Sequence, residues 1–366
     1  MNKVLFRLMS PFKGIVSITL CLFTLSAAMS KDLCDHGCKC VLETAQCQFT
    51  NFKNVTGFFP NVIVNIKISS FKLNDLGPIK FGNSTETISF HNGEVSTLTP
   101  LAFRGLRSVR LIEFLGANIQ TIQSDAFSDI ASHASINFID CIIGIIGPEA
   151  FHHLRGLREI RFEHSLISVI SSFAFRDIQA HSFNITDTEI TNLQNFSLHS
   201  LYDLEVFEFN NLVVDIVSSS AFENLRNISR VKLTNCHFKT LPCLVLKGLR
   251  EATPGNHDTF QFTKSQIDCD CSVAAFMEYI RAHPNSVADT VECSRGNALF
   301  NGSLKTLSTH ELKSKCSNST CVLEVEDAST SSMQGVGVDT ARSVTNSHVL
   351  VAMLQGISMV SWYFCK

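Results

Sequence analysis

The sequence has no excess of charge of either sign. Over 366 residues, 30 Lys and Arg face 33 Asp and Glu, a net charge of −3. There is no basic field of the kind that holds a phosphate backbone, so nucleic acid is not expected as a partner. Motifs of catalysis are missing as well. The chain has no Gly-x-Ser-x-Gly elbow, no glycine-rich phosphate loop with its Lys, and no His-Glu-x-x-His. Long apolar runs are scarce. The run from Ile15 to Leu25 is too short to span a bilayer. It follows Lys3, Arg7 and Lys13 and precedes Ala28-Met29-Ser30, so residues 1–30 read as a secretory signal peptide cleaved before Lys31.

What is present points to a folded, secreted chain. Hydrophobic residues make up 45% and charged residues 17%, enough apolar surface for a sizeable core. Of fourteen cysteines, Cys21 falls in the leader and Cys365 in a hydrophobic tail, and the others gather mainly toward the two ends. That usage fits an oxidising compartment. Sequons at Asn54, Asn83, Asn184, Asn195, Asn227, Asn301 and Asn318 agree with passage through the secretory pathway.

A repeat dominates the middle of the chain. Ala102-Phe103, Ala126-Phe127, Ala150-Phe151 and Ala174-Phe175 recur every 24 residues. Leu198, Phe222 and Leu246 continue the slot after one repeat shortened by a residue, and Ile79 precedes it. Upstream of each stands an alternating apolar pair, from Ile88/Phe90 through Ile112/Phe114, Ile136/Phe138, Ile160/Phe162, Phe183/Ile185 and Phe207/Phe209 to Val231/Leu233. Alternation with period two predicts a short strand. With Ile66/Ile68 before and Phe260/Phe262 after, about nine strands are expected. Two further apolar residues follow each pair, such as Ile119 and Ile122 or Ile143 and Ile146. A single repeat cannot bury its apolar side, so stacking creates the core, with the recurrent phenylalanines as an internal spine.

This pattern resembles the extracellular leucine-rich-repeat family over residues 34 to 321. The resemblance implies an α/β solenoid, horseshoe-shaped, with a parallel concave sheet and disulfide-bonded caps. The family's asparagine slot, however, holds Gly93, Ala117, Cys141, Ser165, Thr188, Leu212 and Cys236. Only some of these can hydrogen-bond the turning backbone, so less uniform turns are expected. Cys141 and Cys236 read as buried structural thiols. At the N-terminal end, Cys34, Cys38, Cys40 and Cys47 are similar to the family's cap, which implies Cys34–Cys40 and Cys38–Cys47; a zinc knuckle is the competing reading. Cys269, Cys271, Cys293 and Cys316 look like its C-terminal cap, which implies Cys269–Cys293 and Cys271–Cys316, with Ser272 to Arg281 helical. Cys321 competes with Cys316 for the fourth place, and Cys243 is left over.

The expected organisation is a leader (1–30), an N-terminal cap (31–60), repeats (61–258), a C-terminal cap (259–321), a polar stalk (322–348) and an apolar segment (349–366). That last segment suits a glycolipid attachment signal, with attachment at Gly335 or Asp339; a short span or a soluble form are the alternatives.

Residues between and beside each buried pair point to the open face of the strand, because strand side chains alternate. The central column reads Lys67, Ser89, Glu113, Asn137, Arg161, Asn184, Glu208, Lys232 and Gln261. Leu111, Leu115 and Ile139 add apolar area, and Glu159, Glu163 and Arg230 add charge, a mixture suited to a protein partner. A glycan on Asn184 would occlude the later strands and push binding toward Leu111 to Arg161. Glu159 and Glu163 sit on an open face rather than in a water-excluding cleft, and His152-His153 reads as an exposed pair on the convex segment. No enzyme, metal or cofactor is expected. The family resemblance implies adhesion or recognition of a protein ligand at the outer face of the plasma membrane, with a ligand-binding co-receptor, an immune recognition protein or a secreted matrix or inhibitory component as alternatives.

Overall fold

The computed structural model describes residues 32–50, 54–239, 241–242, 245, 248–249, 252–253, 259–268, 291–293 and 302–303. The chain divides into two compact units, Met1–Leu323 and Glu324–Lys366, and every described residue belongs to the first. The leader, the stalk, the 349–366 segment with its attachment candidates Gly335 and Asp339, residues 272–281, and Cys243, Cys269, Cys271, Cys316 and Cys321 lie outside the described residues. So do Asn301, Asn318 and the side chain of Asn54.

The first unit is a solenoid of stacked coils. The nine anticipated strands, Asn65–Ser69, Thr87–His91, Leu111–Leu115, Ser135–Ile139, Phe151–Glu163, Phe175–Thr186, Val206–Asn210, Arg230–Thr234 and Phe260–Thr263, pair in parallel in that order. Equivalent residues are register partners, as in Ile112↔Ile136↔Ile160↔Phe183. A hairpin of Cys38–Val41 and Thr44–Gln48 forms the first rungs of the same sheet, tied by Cys34–Cys40 and Cys38–Cys47 as the resemblance implied. At the other end Cys293 is disulfide-bonded.

A second sheet runs through the segments that follow each strand. Asn54–Phe58, Lys72–Lys80, Glu94–Leu98, Asn118–Ile122, Ile142–Ile146, Leu166–Ile170, Glu189–Leu193 and Val213–Val217 pair in parallel, and the sheet continues through His237–Phe238, Gln266–Ile267 and Glu292–Cys293. From Lys72–Lys80 to Val213–Val217 the second and fifth residues are both buried, a spacing of three that a straight strand cannot deliver. Pairing skips the middle residue, so Ile143 meets Ile119 and Ile145 meets Thr121 while Gly144 and Gln120 stay unpaired. The chain bends there and returns Ile122 and Ile146 to the core. Among the described residues, α-helix is limited to positions 245, 248 and 249, so strand replaces the helix that an α/β solenoid would carry.

Parallel strands lie roughly 4.7–4.9 Å apart, so identical residues in successive coils repeat at that distance. The phenylalanines therefore form two columns. Phe103, Phe127, Phe151 and Phe175 stack with centroids 4.9, 4.6 and 4.7 Å apart. Phe90, Phe114, Phe138 and Phe162 stack at 4.7, 5.0 and 4.9 Å. Edge-to-face contacts lock one column to the other, as between Phe127 and Phe138 at 5.9 Å and 78°. Phe81 rather than Ile79 places a ring against Phe103. The register shift between Leu154 and Leu157 locates the repeat that is one residue short, and Gly156, with φ of 67°, stands in that interval. Beyond it the second column ends, and aromatic stacking moves to Phe183 and Phe207.

Each fully buried ring contributes about 1.5–3 kcal/mol of burial. Phe151→Ala, which empties the middle of one column, is expected to lower unfolding stability by about 3–5 kcal/mol in a denaturant titration. Phe151→Leu is expected to lose markedly less.

Candidate functional site

The turn that leaves each strand sets the edge of the open face. Ser70, Asn92, Gly116, Asp140, His164, Asp187, Asn211, Asn235 and Lys264, one per coil, all take a left-handed conformation with φ between 49° and 64°. L-residues resist it, Asn and Asp least. Each N–H from Ser70 to Asn235 recovers the cost by donating to the carbonyl of the next coil, as His164 does to Thr186 at 3.1 Å and Asn211 to Thr234 at 3.0 Å. Side chains add a ladder, with Asn235 Nδ2 donating to Asn211 Oδ1 and Asn211 Nδ2 to Asp187 Oδ1.

The next residue is the asparagine slot of the family. Where it is a hydroxyl it couples two coils. Ser165 Oγ donates to the Glu163 carbonyl at 2.8 Å and accepts from the Cys141 N–H at 3.1 Å, and Thr188 Oγ1 does the same for Thr186 and the Ser165 N–H. Ser265 repeats this for Cys236. Cys141 and Cys236 are free and buried, with each sulfur near the carbonyl two residues back. Burial pushes the Cys141 thiol up to about 11 and the Cys236 thiol to about 12, against smaller opposing effects of their backbone hydrogen bonds. Almost no thiolate exists at physiological pH, which makes these groups structural.

Register brings the anticipated face together. Glu113, Asn137, Arg161, Asn184, Glu208 and Lys232 are consecutive partners across five strand pairs. They and Leu111, Leu115, Ile139, Glu159 and Glu163 are all half-buried. Leu115 and Ile139 are direct neighbours, whereas Leu111 lies at the far end of its strand beside Ser135. Sequence reasoning did not foresee how these groups engage one another. Arg161 pairs with Glu163 in its own strand, and Asn184 Nδ2 donates to Glu159 Oε1 at 2.7 Å. Arg230 pairs with Glu205 at 3.1 Å. Above Glu113, 3.9 Å away, His91 is held below the ordinary imidazole range by its burial and by Lys67, which outweigh the carboxylate. The amide oxygens of Asn137 and Asn184, which flank Arg161 in the column, are buried with no hydrogen-bond partner in the chain. A glycan on Asn184 would take the nitrogen now bonded to Glu159, whereas Asn83, Asn195 and Asn227 are exposed.

Residues 39–143 and 120–242 match the family described as BspA type Leucine rich repeat region, in six copies. The chain belongs to the BspA-type leucine-rich-repeat family. Members of this repeat class stack supersecondary units into extended surfaces that serve as interaction scaffolds. No curated protein matches the chain. Among solved structures it is similar to a chain of the octameric complex of Latrophilin 3 (Lec, Olf), Unc5D (Ig, Ig2, TSP1) and FLRT2 (LRR), at 15% identity and a TM-score of 0.35, covering 76% of this chain and 98% of that one.

Because Cys141 and Cys236, the free thiols among the described residues, are buried and protonated, a thiol reagent at pH 7.4 is expected to leave them unlabelled in the native protein and to label both after unfolding. Native-state labelling of either at a rate near that of a small thiol contradicts the assigned packing.

Proposed function

We propose that this BspA-type solenoid is a secreted-pathway glycoprotein that recognises a protein at the cell surface through the open face of its larger sheet, in adhesion or recognition. One observation carries the reading. Arg161, whose guanidinium pairs with Glu163, stands in register between Asn137 and Asn184, whose buried amide oxygens have no donor within the chain. An unpaired buried acceptor costs about 1–3 kcal/mol, and a rotation of either amide that turns its oxygen outward to a partner's N–H or O–H recovers it on binding. Half-buried Leu115 and Ile139 alongside provide apolar contact next to that polar centre. Two cap disulfides and seven sequons support an oxidising, secretory setting. The apolar 349–366 segment, with attachment at Gly335 or Asp339, supports a lipid tether at the outer leaflet. Among the described residues no helix is long and apolar enough to cross a membrane.

Residues 31–330, immobilised and offered to intact cells, should capture a surface protein. Arg161→Glu is expected to weaken that binding by about tenfold, roughly 1.4 kcal/mol, because it reverses the central charge. Its effect on stability should stay within about 1 kcal/mol, since the ion pair it removes is partly exposed. Binding that survives the charge reversal places the contact on another face. Phosphatidylinositol-specific phospholipase should release the processed protein from cells that express the full sequence, and retention on the cells argues against the lipid tether.

A further inference from the structure

Adjacent residues of an extended strand point to opposite sides, yet the imidazoles of His152 and His153 lie together. Their ring centroids are 3.6 Å apart at an interplanar angle of 30°. The cause is the backbone of His153, whose φ of 51° breaks the alternation at the start of the strand Phe151–Glu163. One coil later, Arg176 is the register partner of His152, so Asp177 comes level with His153. Asp177 has the same left-handed backbone, φ 53°, and its Oδ2 lies 3.4 Å from His153 Nε2. One coil earlier, Asp125 Oδ1 lies 3.4 Å from His152 Nδ1.

We propose that His152, His153 and Asp177 form a binding site for a borderline divalent transition cation, with Zn2+ as its occupant. One ligand atom from each residue lies within 4.8 Å of the others. Zinc bonds of about 2.0–2.2 Å in tetrahedral geometry put ligand atoms roughly 3.4 Å apart, so side-chain rotation alone closes the set. Asp125 acts behind the ligand: by engaging His152 Nδ1 it turns Nε2 toward the cation, the carboxylate–histidine arrangement that orients metal-bound imidazoles. Three protein ligands leave a fourth position for water or for a donor from a partner. Two imidazoles among three ligands select against Ca2+ and Mg2+, which take oxygen ligands.

The guanidinium of Arg176 does not cancel the field. Arg176 Nε is 3.9 Å from Asp177 Oδ2, but the same group is paired with Glu149. Asp125, Glu149 and Asp177 together outweigh it in charge. The buried side of the cluster is His152, with a side chain only 15% exposed, while His153 at 59% leaves the site open to a cation from solvent. The ligands come from two successive coils and the supporting carboxylate from a third, so a bound ion would clasp the first two directly and the third through His152.

The test titrates the metal-free full chain with Zn2+ against a chromophoric chelator. Tight binding is expected, in the micromolar range or below, and His153→Asn and Asp177→Asn should each weaken it by at least about tenfold. Asn tolerates the left-handed backbone at both positions, so the variants retain the fold, and unchanged melting without zinc verifies it. Zn2+ should raise the melting temperature of the native chain and not that of either variant. His164→Asn, which alters a histidine paired elsewhere with Asp187, should bind like the native chain. Absence of micromolar binding, or binding that both cluster variants leave unchanged, overturns the proposal.

Discussion

The separation between parallel strands is the constraint on which this structure depends. It forces every side chain to sit over its equivalent in the next coil at roughly 4.7–4.9 Å, the distance at which aromatic rings stack face to face. The sequence meets that constraint with phenylalanine at two slots in each of the four coils from Phe90 to Phe175. Two ring columns then run along the solenoid axis and lean on each other edge to face, from Phe90 and Phe103 to Phe162 and Phe175. A coil that slipped by one residue would point its strand rings to the wrong side, so the columns fix the register as well as filling the core.

Other features of the solenoid follow from the same stacking. A left-handed turn is costly once and would be costly nine times over, but the turns are aligned, and from Ser70 to Asn235 each N–H finds a carbonyl one coil on. Hydroxyls under the turn extend the coupling, from Thr188 to Ser165 to Cys141. The open face obeys the same rule with different chemistry. Glu113, Asn137, Arg161, Asn184, Glu208 and Lys232 become a row because the coils beneath them are in register. Asp125, His152, His153 and Asp177 meet for the same reason, away from that row.

The period of 24 residues, the alternating pairs and the cysteine spacing made much of this legible before any coordinates. Period-two pairs such as Ile136/Phe138 announce a strand without ambiguity, and the nine strands stand where those pairs lie. The second sheet was not legible, because its buried residues are three apart and the bend at Gln120 or Gly144 that permits this leaves no pattern of its own. Likewise the position of Asn137 and Arg161 on the face could be read, but not the pairing of Arg161 with Glu163 or of Asn184 with Glu159, since these depend on rotamers. The joining of His152 and His153 on one side required a backbone angle that alternation alone assigns wrongly. The one helix that the resemblance located, at 272–281, lies outside the described residues, and in the described coils the segments after each face strand are themselves strand.

The open face and the aromatic columns are two sides of one strand. Phe138 and Phe162 hold the coils at the spacing that sets Asn137 against Arg161, so the proposed recognition rests on a scaffold ordered by the core. The central claim is that the rings of successive coils interact directly. A double-mutant cycle on Phe127 and Phe151, read by denaturant unfolding, tests it most closely. Stacked at 4.6 Å, the pair should show a coupling of about 0.5–1.5 kcal/mol, while Phe103 and Phe175, three coils apart, should be additive within about 0.5 kcal/mol. Additivity of Phe127 and Phe151 would contradict the stacked-coil account.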